Sequence, residues 1–333
     1  MPARGTESLP RAFVLDGRAD AVAIGRAWTA ARGTVTEDEL RGRFASVKCW
    51  KSGDHRAPHK PLLLLAALAR VQRGEPRLWG FSAGDTGVEP VLERLLLSFG
   101  KNGDARTGYP FWRLQSDRIW EVVGAEEARL HVNASGDARI TDLRRRGVAG
   151  GFDAEADAVL RANPRLVEEL TRDLLDRNFP PSEHEEILDA VGMPWRVVTA
   201  RPRDPRFKEL ILRIYEQQCA FCGFGGRLTQ TVIGIDAAHV KWHAAGGPDD
   251  EENGMALCAL HHRLFDRGAM SLTDDHRILV SEHFAGSDVV STGVAALTHR
   301  PLRRPISGRR PPGAQFLSWH RREVFRAPAR GGE

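Results

Sequence analysis

The stretch Asp236–Asp266, DAAHVKWHAAGGPDDEENGMALCALHHRLFD, carries three polar landmarks: His239, Asn253 fourteen residues on, and His262 nine further. Read with its lead-in, TVIGIDAAHV (231–240) has the β-branched content and two-residue period of a strand. KWHAAGGPDDEENG (241–254) is broken by Gly246, Gly247, Pro248 and the Asn253-Gly254 pair, which predicts a long turn-rich loop. ALCALHHRLFD (256–266) predicts a short helix, closed by Gly268 just past its end. On such a helix His262 and Asp266 are four apart and share a face, so both reach one ion. On the strand, Asp236 and Ala238 face one side and His239 the other.

A strand, loop, second strand and helix carrying His, Asn and His in that order resemble the ββα-metal core of HNH nucleases. The resemblance implies that His239 is the general base that takes a proton from the water attacking phosphorus, a task suited to a neutral imidazole. It gives His262 and Asp266 one divalent cation, which stabilises charge on the phosphorane and the leaving oxygen. A carboxylate and an imidazole suit Mg2+ or Mn2+ completed by water. Asn253 takes the middle position and is expected to pin the loop that aims His239. Many such cores place a metal-binding residue immediately before the base, where this chain has Ala238. Asp236, on the same strand face, is the proposed substitute ligand.

Cys219-Ala-Phe-Cys222 and Cys258-Ala-Leu-His261 add a second set of ligands. A lone CxxC is often two small buried thiols, but two such pairs at this separation make a closed four-ligand zinc site of Cys3His type. His261 then faces a structural zinc while His262 faces the catalytic cation. His243, His276 and the acidic run 249–252 fit no position in this scheme, and the run is expected to be a solvated loop.

With 333 residues, 41% apolar and 28% charged, the chain is long enough for two cored domains. A net charge of +4 permits nucleic-acid binding without demanding it. Three of the four cysteines fall in the zinc pattern and only Cys49 remains, so no disulfide framework is implied. No signal-like apolar segment opens the chain, and the apolar run 62–69 is too short to span a membrane. These features predict a soluble cytoplasmic protein.

Residues 1–32 form an extension of unreadable role. HRAPHKPLLLLAALARVQRGEPRLW (55–79) predicts a buried helix starting near Pro61, and GVEPVLERLLLSFG (87–100) a second one. YPFWRLQSDRIWEVV (109–123), aromatic and β-branched, predicts a strand. NPRLVEELTRDLLDRNF (163–179) and PPSEHEEILDAVG (180–192) predict further helices. The proline-rich 193–207 is read as a linker. FKELILRIYEQQ (207–218) leads as a helix into Cys219, and SLTDDHRILVSEHF (271–284) predicts a strand or hairpin. The tail 299–333, with nine arginines between 300 and 330 against Glu323, suits either a phosphate-contacting arm or a solubilising extension, although FLSWHRREVF (316–325) looks packed.

The blocks PHKPLLLLAAL, VLERLLLSFG, GYPFWRL with IWEV, and NFPPSEHEEILDAVG, in that order, resemble the sulfur-binding domain of phosphorothioate-dependent, McrA-like (type IV) restriction endonucleases. The resemblance covers 33–192, and the same family joins this domain to an HNH nuclease. A phosphorothioate replaces a non-bridging phosphate oxygen with a larger, more polarizable sulfur. A site preferring it needs an apolar cup beside cationic phosphate contacts. By resemblance, Tyr109-Pro110 and His59-Lys60 occupy the pocket positions; Arg56, Arg106 and Trp112 are further candidates from their chemistry. The competing reading places Tyr109, Phe111, Trp112 and Trp120 in the core.

The expected architecture is α+β in two domains: a mixed sulfur-binding domain (33–192), then, past the linker, a zinc-stapled ββα-metal domain (208–298). The expected function is a modification-dependent restriction endonuclease acting on phosphorothioate-modified double-stranded DNA, with structural Zn2+ and catalytic Mg2+ or Mn2+. Cutting both strands with one site per chain suggests a homodimer. The competing functions are an HNH enzyme directed to a methylated base or unmodified sequence, and a non-catalytic zinc-containing DNA-binding protein.

Overall fold

Leu62–Leu65 are fully buried, and so are Leu68 and Ala69 on later turns of the same helix, His59–Gln72. A helix apolar on every side has to be wrapped, and the first domain is built around this one. The computed structural model describes residues 35–331 apart from 50, 53–54, 83, 101–104, 125–130, 146 and 195–204. The expectations for 1–32 and for most of the linker lie outside the described residues.

In chain order the first domain comprises α1 (Glu37–Ala45), β1 (Lys51–Ser52), β2 (His55–Arg56), α2 (His59–Gln72), β3 (Trp79–Gly80), α3 (Val88–Phe99), α4 (Gly108–Arg113), β4 (Trp120–Val123), α5 (Ile140–Leu143), β5 (Ala149–Phe152), α6 (Ala154–Ala162), α7 (Pro164–Asn178) and α8 (Pro181–Val191). α2 packs against α3, α4, α6, α7 and α8. A small antiparallel sheet ordered β3-β5-β4 lies beside this bundle.

Two expectations change here. α2 begins at His59, before Pro61, because the first-turn amides need no intrahelical partner and Pro58 serves as the cap position. The segment 109–117 is not a strand: α4 and a following 3-10 turn run to Asp117, and Arg118 in the left-handed region (φ 59°) ends them before β4. Phe111 and Leu114, three apart, are both fully buried. The helical period of burial overrode the strand preference of aromatic residues.

The second domain comprises α9 (Pro205–Ile214), β6 (Gly226–Leu228), β7 (Thr231–Ile233), β8 (Ile235–His239), β9 (Gly254–Cys258), α10 (Ala259–Asp266), β10 (Met270–Leu272), β11 (Ile278–Val280), α11 (Asp288–Ala295) and α12 (Ala314–Glu323). The expected single strand 231–240 is two strands, because Gly234 adopts φ 71° and turns the chain between them. β7 pairs with β6, and β8 pairs antiparallel with β9. The helix expected from Ala256 starts three residues later, since Ala256–Cys258 complete β9. The arginine-rich tail is neither a free arm nor a loose extension in its described part. Leu302 and Leu317 enter the second core, and Arg309 and Arg310 pair with Glu251 and Glu252 at 3.0 and 2.6 Å.

The two domains meet where α8 packs on α10. Arg263 reaches Glu186 at 2.7 Å, and Arg267 reaches Glu183 at 3.0 Å, Glu186, and the carbonyl of Ser98 at 2.6 Å. The Arg267 guanidinium also lies 4.5 Å from the centroid of Phe99. Burial pushes the Glu183 carboxyl up to about 8, against the opposing pull of Arg267. No helix among the described residues is long and apolar enough to cross a membrane.

Candidate active site and metal cluster

β8 and β9 form a hairpin in which His239 faces Gly254. A Cβ at residue 254 would fall 2.5 Å from Ile211 and 2.9 Å from Phe207, so glycine there lets α9 lie across the hairpin. Phe207, thus seated, stacks on the His239 imidazole with centroids 4.1 Å apart and planes at 17°. Nε2 of His239 lies 2.7 Å from Oδ1 of Asp249. When Nε2 carries the proton it donates to Asp249, and the basic lone pair is then on Nδ1.

The loop between the strands is held from within by Asn253, fully buried. Its amide nitrogen donates to the carbonyls of Lys241 (3.0 Å) and Pro248 (2.9 Å), and its amide oxygen accepts from the Lys241 N–H at 2.8 Å. Those three bonds close the two ends of the loop on each other. They leave Asp249, next to Pro248, aimed back at His239.

On α10, Nε2 of His262 stands 3.3 Å from Oδ2 of Asp266, whose side chain is buried. An octahedral cation with ligands near 2.1 Å has adjacent donors about 3.0 Å apart, so this pair fits a small divalent ion. The Asp236 carboxylate, the expected third ligand, is paired with Lys208 Nζ at 2.9 Å. It does not gather with His262 and Asp266 into a three-donor group among the described residues. The four side chains expected at the site, Asp236, His239, His262 and Asp266, all line one open cleft of about 710 Å3. The same cleft is lined by Phe207 and Asp249, and by Phe179–Ser182 from the first domain.

Cys219, Cys222, Cys258 and His261 bring their donor atoms within 4.8 Å of one another. A tetrahedral zinc with bonds of ~2.3 Å to sulfur places donors about 3.8 Å apart, and the set fits with a small contraction. The crowded donors compete for protons. Hydrogen bonds to Cys222 and Cys258, with burial, push the Cys219 thiol far up. Bonds from Cys219 and Cys222 hold the Cys258 thiol far down. Burial opposes charge on His261, yet its contacts with Cys222 and Cys258 prevail and raise it to about 9. A doubly charged ion would resolve this conflict. His261 turns to the cluster and His262, the next residue, to the cleft.

In the first domain a second cavity of about 710 Å3 is lined by Pro58, His59, Lys60, Arg106, Tyr109, Pro110 and Arg113 among others. Tyr109 is 43% exposed, and the guanidinium carbons of Arg106 and Arg113 each lie 5.6 Å from its ring centroid. Lys60 lines this cavity but is itself buried, its Nζ 2.5 Å from Asp117 and 3.4 Å from the Arg113 carbonyl. Trp112 does not line the cavity; its indole N–H donates to the Gly136 carbonyl at 2.8 Å, bracing the 133–137 loop. The Arg56 side chain lies outside the described residues. Arg113 went unnoticed in the sequence. It forms two bonds with Asp137, at 2.5 and 2.6 Å, which hold that carboxyl below its usual range.

Residues 37–195 match the family described as ScoMcrA-like, DNA sulfur-binding domain, and residues 219–273 match the family described as HNH endonuclease. Curated proteins give no match. Among solved structures, the sulfur-binding domain of ScoMcrA complexed with phosphorothioated DNA is 24% identical, with 48% of this chain and 98% of that one covered and a TM-score of 0.42. The type IV phosphorothioation-dependent restriction endonuclease ScoMcrA is 21% identical, with 68% of this chain and 40% of that one covered and a TM-score of 0.40.

Proposed function

The chain joins a ScoMcrA-like DNA sulfur-binding domain to an HNH endonuclease domain, and from that premise we propose that it is a modification-dependent restriction endonuclease. Its first domain binds phosphorothioate-modified double-stranded DNA, and its second hydrolyses phosphodiester bonds nearby. The observation that carries this reading is the convergence of His239, His262 and Asp266 on one cleft open to solvent.

His239 is the general base. Phe207 fixes the plane of its ring and Asp249 fixes its tautomer, so that Nδ1 accepts the proton of the attacking water. His262 and Asp266 hold one Mg2+ or Mn2+, which when bound stabilises negative charge on the phosphoryl oxygens and the leaving 3′ oxygen. The products carry 5′-phosphate and 3′-hydroxyl ends. Cys219, Cys222, Cys258 and His261 hold a structural zinc that seats α10 on the β8–β9 hairpin. With all four positions taken by protein, this ion has no place for substrate.

In the first domain, Tyr109 and Pro110 form the apolar side of the sulfur cup. His59, Arg106 and Arg113 supply the polar side facing the backbone. The Lys60 ammonium, occupied by Asp117, shapes the wall rather than contacting phosphate.

The test uses the full-length His239→Ala protein, which should bind without cutting. Its affinity is measured for matched duplexes with no sulfur and with each phosphorothioate stereoisomer in several base contexts. A preference of tenfold or more for one isomer, about 1.4 kcal/mol, supports the reader. Equal binding to all duplexes would leave an HNH endonuclease with another target. Wild-type cleavage of the preferred duplex in Mg2+ or Mn2+, absent in His239→Ala, completes the test.

A further inference from the structure

The nuclease cleft is not built from the nuclease domain alone. Pro180, Pro181 and Ser182 belong to the sulfur-binding domain, yet they line the cleft that holds His239, His262 and Asp266. The Ser182 hydroxyl donates to Oδ2 of Asp266 across 84 positions of sequence. That oxygen is the one facing His262 Nε2 at 3.3 Å. Ser182 therefore touches the very atom through which Asp266 would share an ion with His262.

Its delivery is well constrained. Pro180 is extended and Pro181 opens α8, and the two rings fix φ on either side of the turn into the helix. Further along α8, Glu183 and Glu186 are gripped by Arg263 and Arg267 of the α10 region. Arg326, near the end of the chain, adds a bond to the Gly100 carbonyl at 3.1 Å.

We propose that Ser182 is a positioning residue for the nuclease: by donating to Oδ2 it holds the Asp266 carboxylate in the orientation that binds a divalent cation together with His262. The DNA-reading domain thereby completes the hydrolytic site of its neighbour. This inference rests on the assignment of His262 and Asp266 as cation ligands. A hydroxyl that donates to a metal-binding carboxylate is the usual kind of outer support, because it fixes the orientation in which the carboxylate meets the ion.

The test is Mn2+ binding to the full-length, zinc-loaded protein without DNA, read from the loss of the free-ion paramagnetic resonance signal. Wild type is compared with Ser182→Ala, Ser182→Thr and His262→Ala. The expected result is a dissociation constant raised about tenfold in Ser182→Ala, restored to within about twofold in Ser182→Thr, and no binding at this site in His262→Ala. Thermal unfolding and phosphorothioate-duplex affinity should not change between wild type and the two Ser182 variants. Wild-type Mn2+ binding in Ser182→Ala, with binding lost in His262→Ala, overturns the role of Ser182 alone. Tighter binding in Ser182→Ala also overturns it, since the contact would then oppose the ion. Equal binding by wild type and His262→Ala overturns the cation assignment itself, and the inference with it.

Discussion

The imidazole of His239 is bonded to the carboxylate of Asp249, with Nε2 and Oδ1 2.7 Å apart. A carboxylate on one imidazole nitrogen selects the tautomer and steadies the cation that forms when the other nitrogen takes a proton. Asp249→Ala should slow single-turnover cleavage by about 10- to 100-fold, with duplex affinity unchanged. Asp249→Asn should fall between the two. A wild-type rate in Asp249→Ala would make this pair a surface contact of no catalytic consequence.

Asn253, at one end of the active-site loop, bonds three backbone groups, two on Lys241 at the other end and one on Pro248 within the loop. Asn253→Ala strands two carbonyls and an N–H, and should destabilise the protein by about 2–4 kcal/mol. The measurement is denaturant unfolding of the purified variant. Cleavage at a temperature where the variant is still folded should also drop, because Asp249 loses the anchor beside it.

Elemental analysis should find one zinc per chain. Stripping it should lower the midpoint of thermal unfolding of the second domain by more than about 10 °C, and Mg2+ alone should not restore it. Cys258→Ser should behave like the stripped protein. Because His261 and the thiols must release protons to bind the ion, zinc retention should weaken as pH falls.

Tyr109→Ala removes apolar surface from the cup but no charge. It should lower the ratio of modified to unmodified duplex affinity by about tenfold, or 1.4 kcal/mol. Arg106→Ala should instead weaken both duplexes alike and reduce the salt dependence of binding. A Tyr109→Ala protein that keeps full discrimination would move the sulfur contact elsewhere.

The donor groupings of the second domain were legible because residue identity and spacing are local. Cys219 to Cys222 and Cys258 to His261 are short-range patterns, and so is His262 to Asp266. What escaped was set by tertiary contact. Asp249 sits in an acidic run that by composition is a solvated loop, and only the folding of the loop around Asn253 brings it to His239. Ser182 lies 84 residues from its partner, with no motif to join them. Lys60 lines the first-domain cavity as its sequence position led us to expect, but its pairing with Asp117 could not be read from local pattern. The misread 109–117 segment shows the same limit: Tyr109, Phe111 and Trp112 favour a strand by composition, whereas Phe111 and Leu114 bury one face of a helix.

The grip of Arg263 and Arg267 on α8 also bears on where the enzyme cuts. Tight contacts between two domains turn the pair into a caliper, whose opening is set by those contacts. With DNA across both sites, the proposed sulfur cup and the His239 cleft should lie a constant step apart along the duplex. Cut ends should cluster at one offset from the modified linkage instead of spreading over the reach of a flexible tether. Loosening the grip, as in Arg267→Ala, should blur that offset before it abolishes cutting.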